Sequence, residues 1–490
     1  MNLKLIFISL GLLLTELLTA QDQTTELSLK QVIEIARMES PDAQTARHSF
    51  RSAYWNYKYY RANYLPSLSL TSDPNLNRAI NKITMGDGSV KFVEQNLLNT
   101  DLTLNLSQNL SWTGGSFFLE TSAQRMDLFS EHKYSWQTSP IMIGYRQSLF
   151  GYNSLKWDRR IEPVRYQEAK KSYVETLELV SANAINKFFA LATAQSDYDI
   201  ASFNYANADT LYRYAQGRYN IGTITENEML QLELNRLTEE TNRMNALIEM
   251  DNCMQELRSY LGIHEDRELR VLVSPQIPDF SVNLNEALAL AYENSPDIQT
   301  MERRKLESES AVAKARANAG LKADIYLRFG LTQTADKLPE AYRNLLDQQY
   351  VSIGISLPIL DWGRGKGQVR VARSNRDLVY TQVEQSRTDF ELNVRKLVKQ
   401  FNLQTQRVRI AARTDETAQR RSEVARKLYL LGKSTILDLN ASISEKDSAR
   451  RNYISALYNY WSLYYTLRSM TLYDFERNTM LTEDYHLLIE

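Results

Sequence analysis

Alternation between apolar and polar residues distinguishes two stretches in the second half of the chain. Odd-numbered positions of residues 324–331 and 351–359 carry apolar side chains, while the even-numbered positions of 351–359 are small or polar. Because successive side chains of a strand point to opposite faces, each stretch predicts a strand with one apolar face and one wettable face. Strands of soluble sheets and of membrane barrels both carry this pattern, so alternation alone leaves two interpretations open.

A long helical pattern follows the second of these strands. Residues 368–431 contain neither proline nor glycine, and their apolar stripe includes Phe390, Val394, Leu397, Phe401 and Val408. Apolar residues three and four positions apart lie on one side of a helix. At a rise of about 1.5 Å per residue, this segment predicts a single helix far longer than those of ordinary globular domains.

The first half of the chain contains a similar apolar stripe, which follows Pro163. Its members, Tyr173, Leu177, Val180, Ala184 and Leu191, have the spacing of a coiled-coil seam. Pro163 should kink this helix or mark its start, because proline cannot donate the hydrogen bond that a helix interior needs. A soluble coiled coil would account for the helices and leave the strands unexplained.

An internal duplication relates the two halves of the chain. Residues 29–45 and 284–300 are identical at seven of 17 positions, including Ser-Pro-Asp-x-Gln-Thr, and at a shift of 210 residues 219–222 align with 429–432. Each repeat is therefore predicted to contain a short helix, a second helix that begins at Ser-Pro, strands, a long helix, a glycine-containing turn and a return helix.

The first repeat is longer than the second because of an insertion. The alignment shift changes from 255 to 210 residues between positions 63 and 143, which corresponds to 45 inserted residues. We interpret residues 72–139 as a long loop with one added hairpin that turns at Thr113-Gly114-Gly115. Each repeat then supplies two strands to a sheet. Four strands are too few to close a membrane barrel, for which about eight is the minimum, so several chains must share one barrel.

The N-terminal residues 1–20 predict a secretory signal peptide. Lys4 precedes an apolar run, and Thr19 and Ala20 supply small residues before Gln21. After residue 20 no run of about 20 apolar residues occurs, so we expect that any crossing of a membrane uses strands.

Composition and motifs argue against several classes of function. The 58 basic residues balance 59 acidic ones, which predicts no nucleic-acid partner. The sequence has no nucleophile motif, phosphate-binding loop or dinucleotide fingerprint, and its four histidines lack the spacing of metal ligands. We therefore expect neither an enzyme nor a cofactor or metal site.

Together these features resemble the TolC-type outer membrane factors, the channel components of tripartite efflux pumps and type I secretion systems in Gram-negative bacteria. The resemblance rests on the duplication, the Ser-Pro elements, the sequence Leu-Pro-Ile-Leu-Asp-Trp-Gly at 357–363 and the Tyr-x-x-Gly turns at 219–222 and 429–432. It covers about residues 27–472. The end of the signal peptide and the long loops of the first repeat resemble members from Bacteroidota. Residues 147–151 depart from the pattern, since they lack the proline of the strand exit.

The resemblance implies a mainly α fold with membrane β-strands. A homotrimer would form a 12-stranded β-barrel in the outer membrane, continued by a 12-helix periplasmic α-barrel. Its partners would be a periplasmic adaptor protein, an inner membrane transporter and outer membrane lipid, and its function a passive exit duct opened by the adaptor. The chain would divide into a signal peptide (1–20), a first repeat (21–262), a linker (263–283), a second repeat (284–471) and a C-terminal tail (472–490).

The resemblance also implies two sets of functional residues. Asp438 matches an acidic position of the family's periplasmic aperture, Glu228 is its counterpart in the first repeat, and Ala441 occupies the family's second acidic position. The helix tips that would contact the adaptor are Arg218, Tyr219, Gly222, Thr223, Leu428, Tyr429, Gly432 and Lys433. A purely structural interpretation exists for both sets, because carboxylates stabilise helix N-termini and glycines end helices.

Two other functions remain open from the sequence. A periplasmic coiled-coil adaptor or structural protein would contain the helices but no pore. A diffusion porin would contain the strands, although long helices have no use in simple diffusion. Fractionation of membranes and recording of single-channel currents would separate these possibilities from an exit duct.

Overall fold

The computed structural model describes residues 25–264, 268–431, 433–486 and 488–489. The predicted signal peptide and the predicted tip residue Gly432 lie outside these residues. The chain forms two compact units, each of which takes segments from both repeats. We call the first the helical unit, which comprises residues up to Arg51, Ala169–Ile298 and residues from Thr388 onward, and the second the sheet unit, which comprises Ser52–Glu168 and Gln299–Arg387.

The helices follow the same order in each repeat. The first repeat contains α1 (Leu29–Glu39), α2 (Pro41–Ala62), α3 (Ser154–Asn220) and α4 (Glu226–Leu261), and the second contains α5 (Leu284–Asn294), α6 (Pro296–Ala319), α7 (Arg364–Leu430) and α8 (Ile436–Thr471). The long helices α3 and α7 each have 67 residues, and the return helices α4 and α8 each have 36. In the described residues, no helix combines the length and the apolar character needed to span a membrane.

The Ser-Pro elements start helices α2 and α6 as the sequence predicts. The Ser40 hydroxyl accepts a hydrogen bond from the backbone N–H of Ala43, and the Ser295 hydroxyl accepts one from Asp297. These bonds satisfy backbone donors that the first helical turn leaves unpaired. Proline then occupies the first helical position, where its missing N–H costs nothing.

The long helices begin earlier than the sequence predicts. The Asp361 carboxylate accepts hydrogen bonds from the backbone N–H groups of Gly363 and Gly365 at 2.9 and 2.8 Å, and α7 starts at Arg364 because this cap satisfies its first donors. Helix α3 starts at Ser154 and runs through Pro163, so the proposal that Pro163 marks its start is wrong.

The apolar stripes of the long helices form the core of the helical unit. All five predicted stripe residues of α3 and all five of α7 are buried. Burial of a large aliphatic or aromatic side chain contributes about 1.5–3 kcal/mol. Two small pairs of strands also belong to this unit: β1 (Thr25–Ser28) pairs in parallel with β7 (Leu269–Leu272), and β10 (Tyr473–Asp474) pairs with β11 (Thr479–Met480).

Seven strands form one antiparallel sheet in the sheet unit. They are β2 (Ser67–Thr71), β3 (Asn75–Thr84), β4 (Val90–Asn109), β5 (Ser116–Leu128), β6 (Lys133–Leu149), β8 (Lys322–Ala335) and β9 (Leu346–Ser356). The order is β2-β4-β5-β6-β8-β9, with β3 paired to β4.

Strands β2 and β3 occupy a single position in this sheet. They pair with successive stretches of β4, at residues 103–107 and 90–99 respectively. The break between them contains Pro74, which lacks the N–H that a strand interior donates. The seven strands therefore fill six positions.

Two predictions about the strands are wrong. The sheet has seven strands instead of four, because much of the predicted loop 72–139 continues the antiparallel ladder as β3, β4, β5 and the start of β6. The last strand ends at Ser356 and excludes Ile359, since Pro358 cannot donate to a ladder. The predicted hairpin turn at Thr113-Gly114-Gly115 does connect β4 to β5.

Candidate functional site

One face of the sheet is apolar and exposed across all six strand positions. Register pairs Leu68 with Leu106, Leu106 with Leu119, Leu119 with Ile143, and Ile143 with Phe329, so these side chains form one row. All of them are exposed, as are Val351, Ile353 and Ile355 on β9. We call this surface the apolar face. Soluble monomers rarely expose a contiguous apolar surface that covers a whole sheet, which indicates an apolar environment.

The opposite face of the sheet is polar and well packed. Glu120 and Arg328 form an ion pair across strands at 3.2 Å. Tyr326 stacks near Phe118 with ring centroids 5.8 Å apart, and the Arg146 guanidinium lies 5.5 Å from the centroid of the Tyr326 ring. We call this surface the polar face. An apolar face backed by a polar face is the arrangement of a wall between lipid and water.

Glycines on the polar face let large side chains lie flat against the sheet. A Cβ atom at Gly144 would lie 2.0 Å from Cζ of Phe118, and one at Gly330 would lie 2.3 Å from Sδ of Met142. Phe118 and Met142 are both buried. Close packing therefore requires glycine at both positions, because the neighbouring side chains occupy the space that a Cβ atom would fill.

Replacement of Gly144 by alanine is expected to destabilise the sheet by about 1–3 kcal/mol, because the new methyl group displaces the Phe118 ring. Gly354→Ala is the matched control, since the atom nearest to its Cβ is the Asp324 carbonyl oxygen at 3.9 Å. Thermal unfolding of the two variants measures the difference. Equal midpoints would contradict this account of the packing.

The two helix turns of the helical unit share one hydrogen-bond pattern. The Thr223 N–H donates to the Arg218 carbonyl, and the Lys433 N–H donates to the Leu428 carbonyl, both at 2.9 Å. Gly222 has a φ of +74°, which suits the left-handed end of α3.

Most of the predicted tip residues are exposed. Arg218, Tyr219, Gly222, Thr223, Leu428 and Lys433 are exposed, whereas Tyr429 is half-buried. Ile221 and Leu431, which the sequence did not single out, expose apolar side chains beside them. The tips thus combine polar and apolar surface, as docking surfaces do.

The predicted aperture acids both lie in the first turn of a return helix. The Thr225 hydroxyl and backbone N–H donate to Oε2 of Glu228, and the Thr435 hydroxyl donates to Oδ2 of Asp438 at 2.9 Å. The backbone N–H of Thr225, and then its hydroxyl, lower the pKa of Glu228 below its usual value. Both carboxylates are exposed. Glu228 completes a capping box with Thr225, whereas Asp438 accepts from the hydroxyl of its N-cap residue Thr435.

An exposed apolar stripe on α4 was missed by the sequence analysis. Its members, at intervals of four, three, seven and four residues, are Leu230, Leu234, Leu237, Met244 and Ile248. The equivalent positions of α8, 210 residues later, include Asn440, Ser444 and Asp447. The coiled-coil spacing was the available signal, but spacing does not reveal whether the partner belongs to the same chain.

A second exposed apolar stripe lies along α7. Leu403, Ile410 and Val424 recur at multiples of seven residues and expose more than half of their side-chain surface. Within the described residues of the helical unit, both stripes remain open to solvent.

Comparison with known proteins indicates a family of export channels. The profile of the family described as outer membrane efflux protein matches residues 287–471. The second repeat of the chain is similar to the outer membrane efflux protein family. This similarity favours an export channel of the outer membrane over an enzyme. It also favours a channel over a periplasmic coiled coil without a pore.

Similar proteins of known name cover nearly all of the chain. The chain is 24% identical over 451 residues to the toxin and drug export protein A of Aggregatibacter actinomycetemcomitans, across 86% of this chain and 94% of that protein. The fold is similar to the CmeC outer membrane channel of Campylobacter jejuni, with a TM-score of 0.68, 15% identity, and coverage of 94% of this chain and 88% of that one. VceC of Vibrio cholerae gives a TM-score of 0.63 at 15% identity, over 90% of this chain and 95% of that one.

Proposed function

We propose that this protein is the exit duct of a tripartite efflux pump or a type I secretion system. It acts as a passive conduit that a periplasmic adaptor opens, while an inner membrane transporter supplies the energy. The continuous apolar face of the sheet supports this proposal most strongly, because it fits a wall between outer membrane lipid and an aqueous lumen. Cargo tests begin with toxins and drugs, since a relative is named for their export.

We further propose that the duct is a homotrimer with a shared β-barrel and a shared periplasmic α-barrel. Strands β2 with β3 and strand β9 lie at the two edges of the sheet, and backbone groups at an open edge are costly in lipid. Different surfaces that meet between copies generate a closed ring when the rotation closes. The exposed stripes of α4 and α7 are suited to the same kind of contact between neighbouring copies.

Two further roles follow from this assembly. Three copies would bring Asp438 and Glu228 into rings at the periplasmic aperture, where carboxylates concentrate cations and repel anions. The eight predicted tip residues would contact the adaptor, and the apolar side chains of Ile221 and Leu431 would contribute to that contact.

Asp438→Asn is expected to raise basal conductance and to weaken block by divalent cations. Three carboxylates ~10 Å from a divalent cation in water contribute about 0.8 kcal/mol each, which together correspond to a block roughly 60-fold weaker without them. Asparagine retains an oxygen that can accept the Thr435 hydrogen bond, so the helix start is preserved.

Single-channel recording measures both quantities. Thr435→Ala is the control, because it removes the cap and keeps the charge. An Asp438→Asn channel with unchanged conductance and unchanged block would reject the aperture role.

The function itself is tested with the purified full-length protein. We expect it in the outer membrane fraction as an oligomer that resists mild detergent and dissociates on heating, and we expect cation-blocked current in planar bilayers. The protein should also co-purify with an adaptor. A soluble monomer without current would overturn the proposal, and a permanently open channel that binds no adaptor would indicate a diffusion porin.

A further inference from the structure

We propose that each chain contributes six strand positions to the barrel wall, so that three copies close an eighteen-stranded barrel instead of a twelve-stranded one. This inference rests on the proposed trimeric duct and specifies its wall. The two additional positions are the insertion strands β4 and β5, and four observations place them in the wall.

The first observation is strand pairing. Strand β5 pairs with β4 on one side and with β6 on the other, over 13 and 12 pairs of residues. Within the described sheet, β2 pairs with β4 and β6 pairs with β5 and β8. The insertion strands therefore separate β2 from β6. A twelve-stranded wall would need β2 and β6 to be neighbours.

The second observation is the continuity of the apolar face. Leu104 and Leu106 on β4, with Phe117 and Leu119 on β5, are exposed on the same face as Leu68 and Ile143. A hairpin that projected into water or into the lumen would gain nothing from this apolar row. Four large apolar side chains left in water forfeit about 1.5–3 kcal/mol each.

The third observation is strand length. Strand β5 has 13 residues, all of them paired to β4. A tilted strand needs about 9–11 residues to cross the hydrocarbon core. Both insertion strands are therefore long enough to cross the membrane.

The fourth observation is strand direction. Every pair along β2-β4-β5-β6-β8-β9 is antiparallel, so β2 and β9 run in opposite directions. An edge strand β9 can then meet β2 of the next copy as another antiparallel pair. Six positions per chain thus continue the alternation around the ring, as a closed barrel requires.

A wider lumen follows from this wall. The diameter of a barrel grows roughly in proportion to the number of strands, so eighteen strands give a barrel about 1.5 times as wide as twelve. The polar face, including Glu120 and Arg328, would line this lumen. The barrel would then admit bulkier solutes than a twelve-stranded one of the same fold.

Two experiments on the full-length protein test the proposal. The first is electron cryomicroscopy of the purified oligomer, in which eighteen wall strands are expected. A trimer with twelve wall strands and a projecting β4–β5 hairpin would overturn the inference and leave the exit duct intact. Absence of any oligomer and of any current would instead overturn the proposed function.

The second experiment labels single cysteines in a Cys253→Ser background with a charged, membrane-impermeant thiol reagent. Asn105→Cys, on the polar face, is expected to react at least tenfold faster than Leu104→Cys and Leu106→Cys, which face lipid. Equal rates at the three positions would place the hairpin in water and overturn the inference. Because each variant changes one side chain of the intact chain, the result does not depend on a deletion that folds.

Discussion

Replacing Glu178 by alanine is expected to lower the free energy of unfolding of the helical unit by about 3–5 kcal/mol, because it leaves two arginines without their shared carboxylate. The Glu178 side chain is fully buried. Its Oε1 accepts from the Arg37 guanidinium at 2.5 Å, and its Oε2 accepts from Nε of Arg468 at 2.7 Å. These bonds join α1, α3 and α8, so both repeats depend on one carboxylate.

Glu483→Ala provides the matched control for this prediction. Glu483 also pairs with Arg37, at 2.6 Å, but its side chain is 31% exposed. A partly solvated pair contributes about 0–1 kcal/mol, so we expect a small change. Thermal or urea unfolding of the purified protein compares the two variants. Similar losses of stability in both variants would show that burial of Glu178 does not make its ion pairs more important for stability than the exposed pair of Glu483.

The long helices and their buried stripes were predictable from sequence, whereas the Glu178 cluster was not. Phe390 and Val394 repeat at helical spacing, and the spacing itself specifies which face is buried. Glu178 lies in a helix of similar pattern, where a glutamate ordinarily indicates a solvated face. Its partners Arg37 and Arg468 are 141 and 290 residues away, and no local pattern encodes such distances.

The strands were predictable only where one face differs from the other. Strand β9 alternates strictly from Val351 to Ser356, and the strand predicted over 351–359 overlaps that half of the observed strand Leu346–Ser356. Strand β3, which has the sequence Asn-Leu-Asn-Arg-Ala-Ile-Asn-Lys-Ile-Thr, alternates imperfectly and is largely exposed. Its conformation is set by pairing with β4, and pairing is a property of the partner strand. The sequence alone did not reveal β3 for this reason.

The aperture acids show a different limit of prediction from a single chain. The spacing of Thr225 and Glu228 is that of a capping box, and the structure contains that box. Asp438 occupies the equivalent place after Thr435. Because one chain satisfies both carboxylates locally, any ring of charge is a property of the assembled copies, and it stays a prediction.

The double variant Leu234→Glu, Leu237→Glu is expected to abolish the proposed trimer and, with it, all channel current. Both side chains are exposed in the single chain, at 66% and 45%, so the fold of each copy should survive their replacement. In the assembled ring the same positions would be buried against a neighbour. A carboxylate without a partner in such a seam costs several kcal/mol, and the cost is repeated at each of the interfaces between copies.

The second repeat supplies the matched control for the seam. Ser444 lies 210 residues after Leu234, on α8, and is also exposed, so Ser444→Glu introduces one of the two carboxylates at the equivalent position of the other return helix. Light scattering in detergent should find monomers for the double variant and trimers for Ser444→Glu, with circular dichroism unchanged in both. If the double variant remained trimeric, α4 would be excluded from the interface. If both variants dissociated, the loss of the trimer would be due to added negative charge and not to the α4 stripe. The α4 stripe is assigned to the interface because Leu230, Leu234 and Leu237 are apolar and exposed, whereas the equivalent positions of the second repeat are the polar residues Asn440, Ser444 and Asp447.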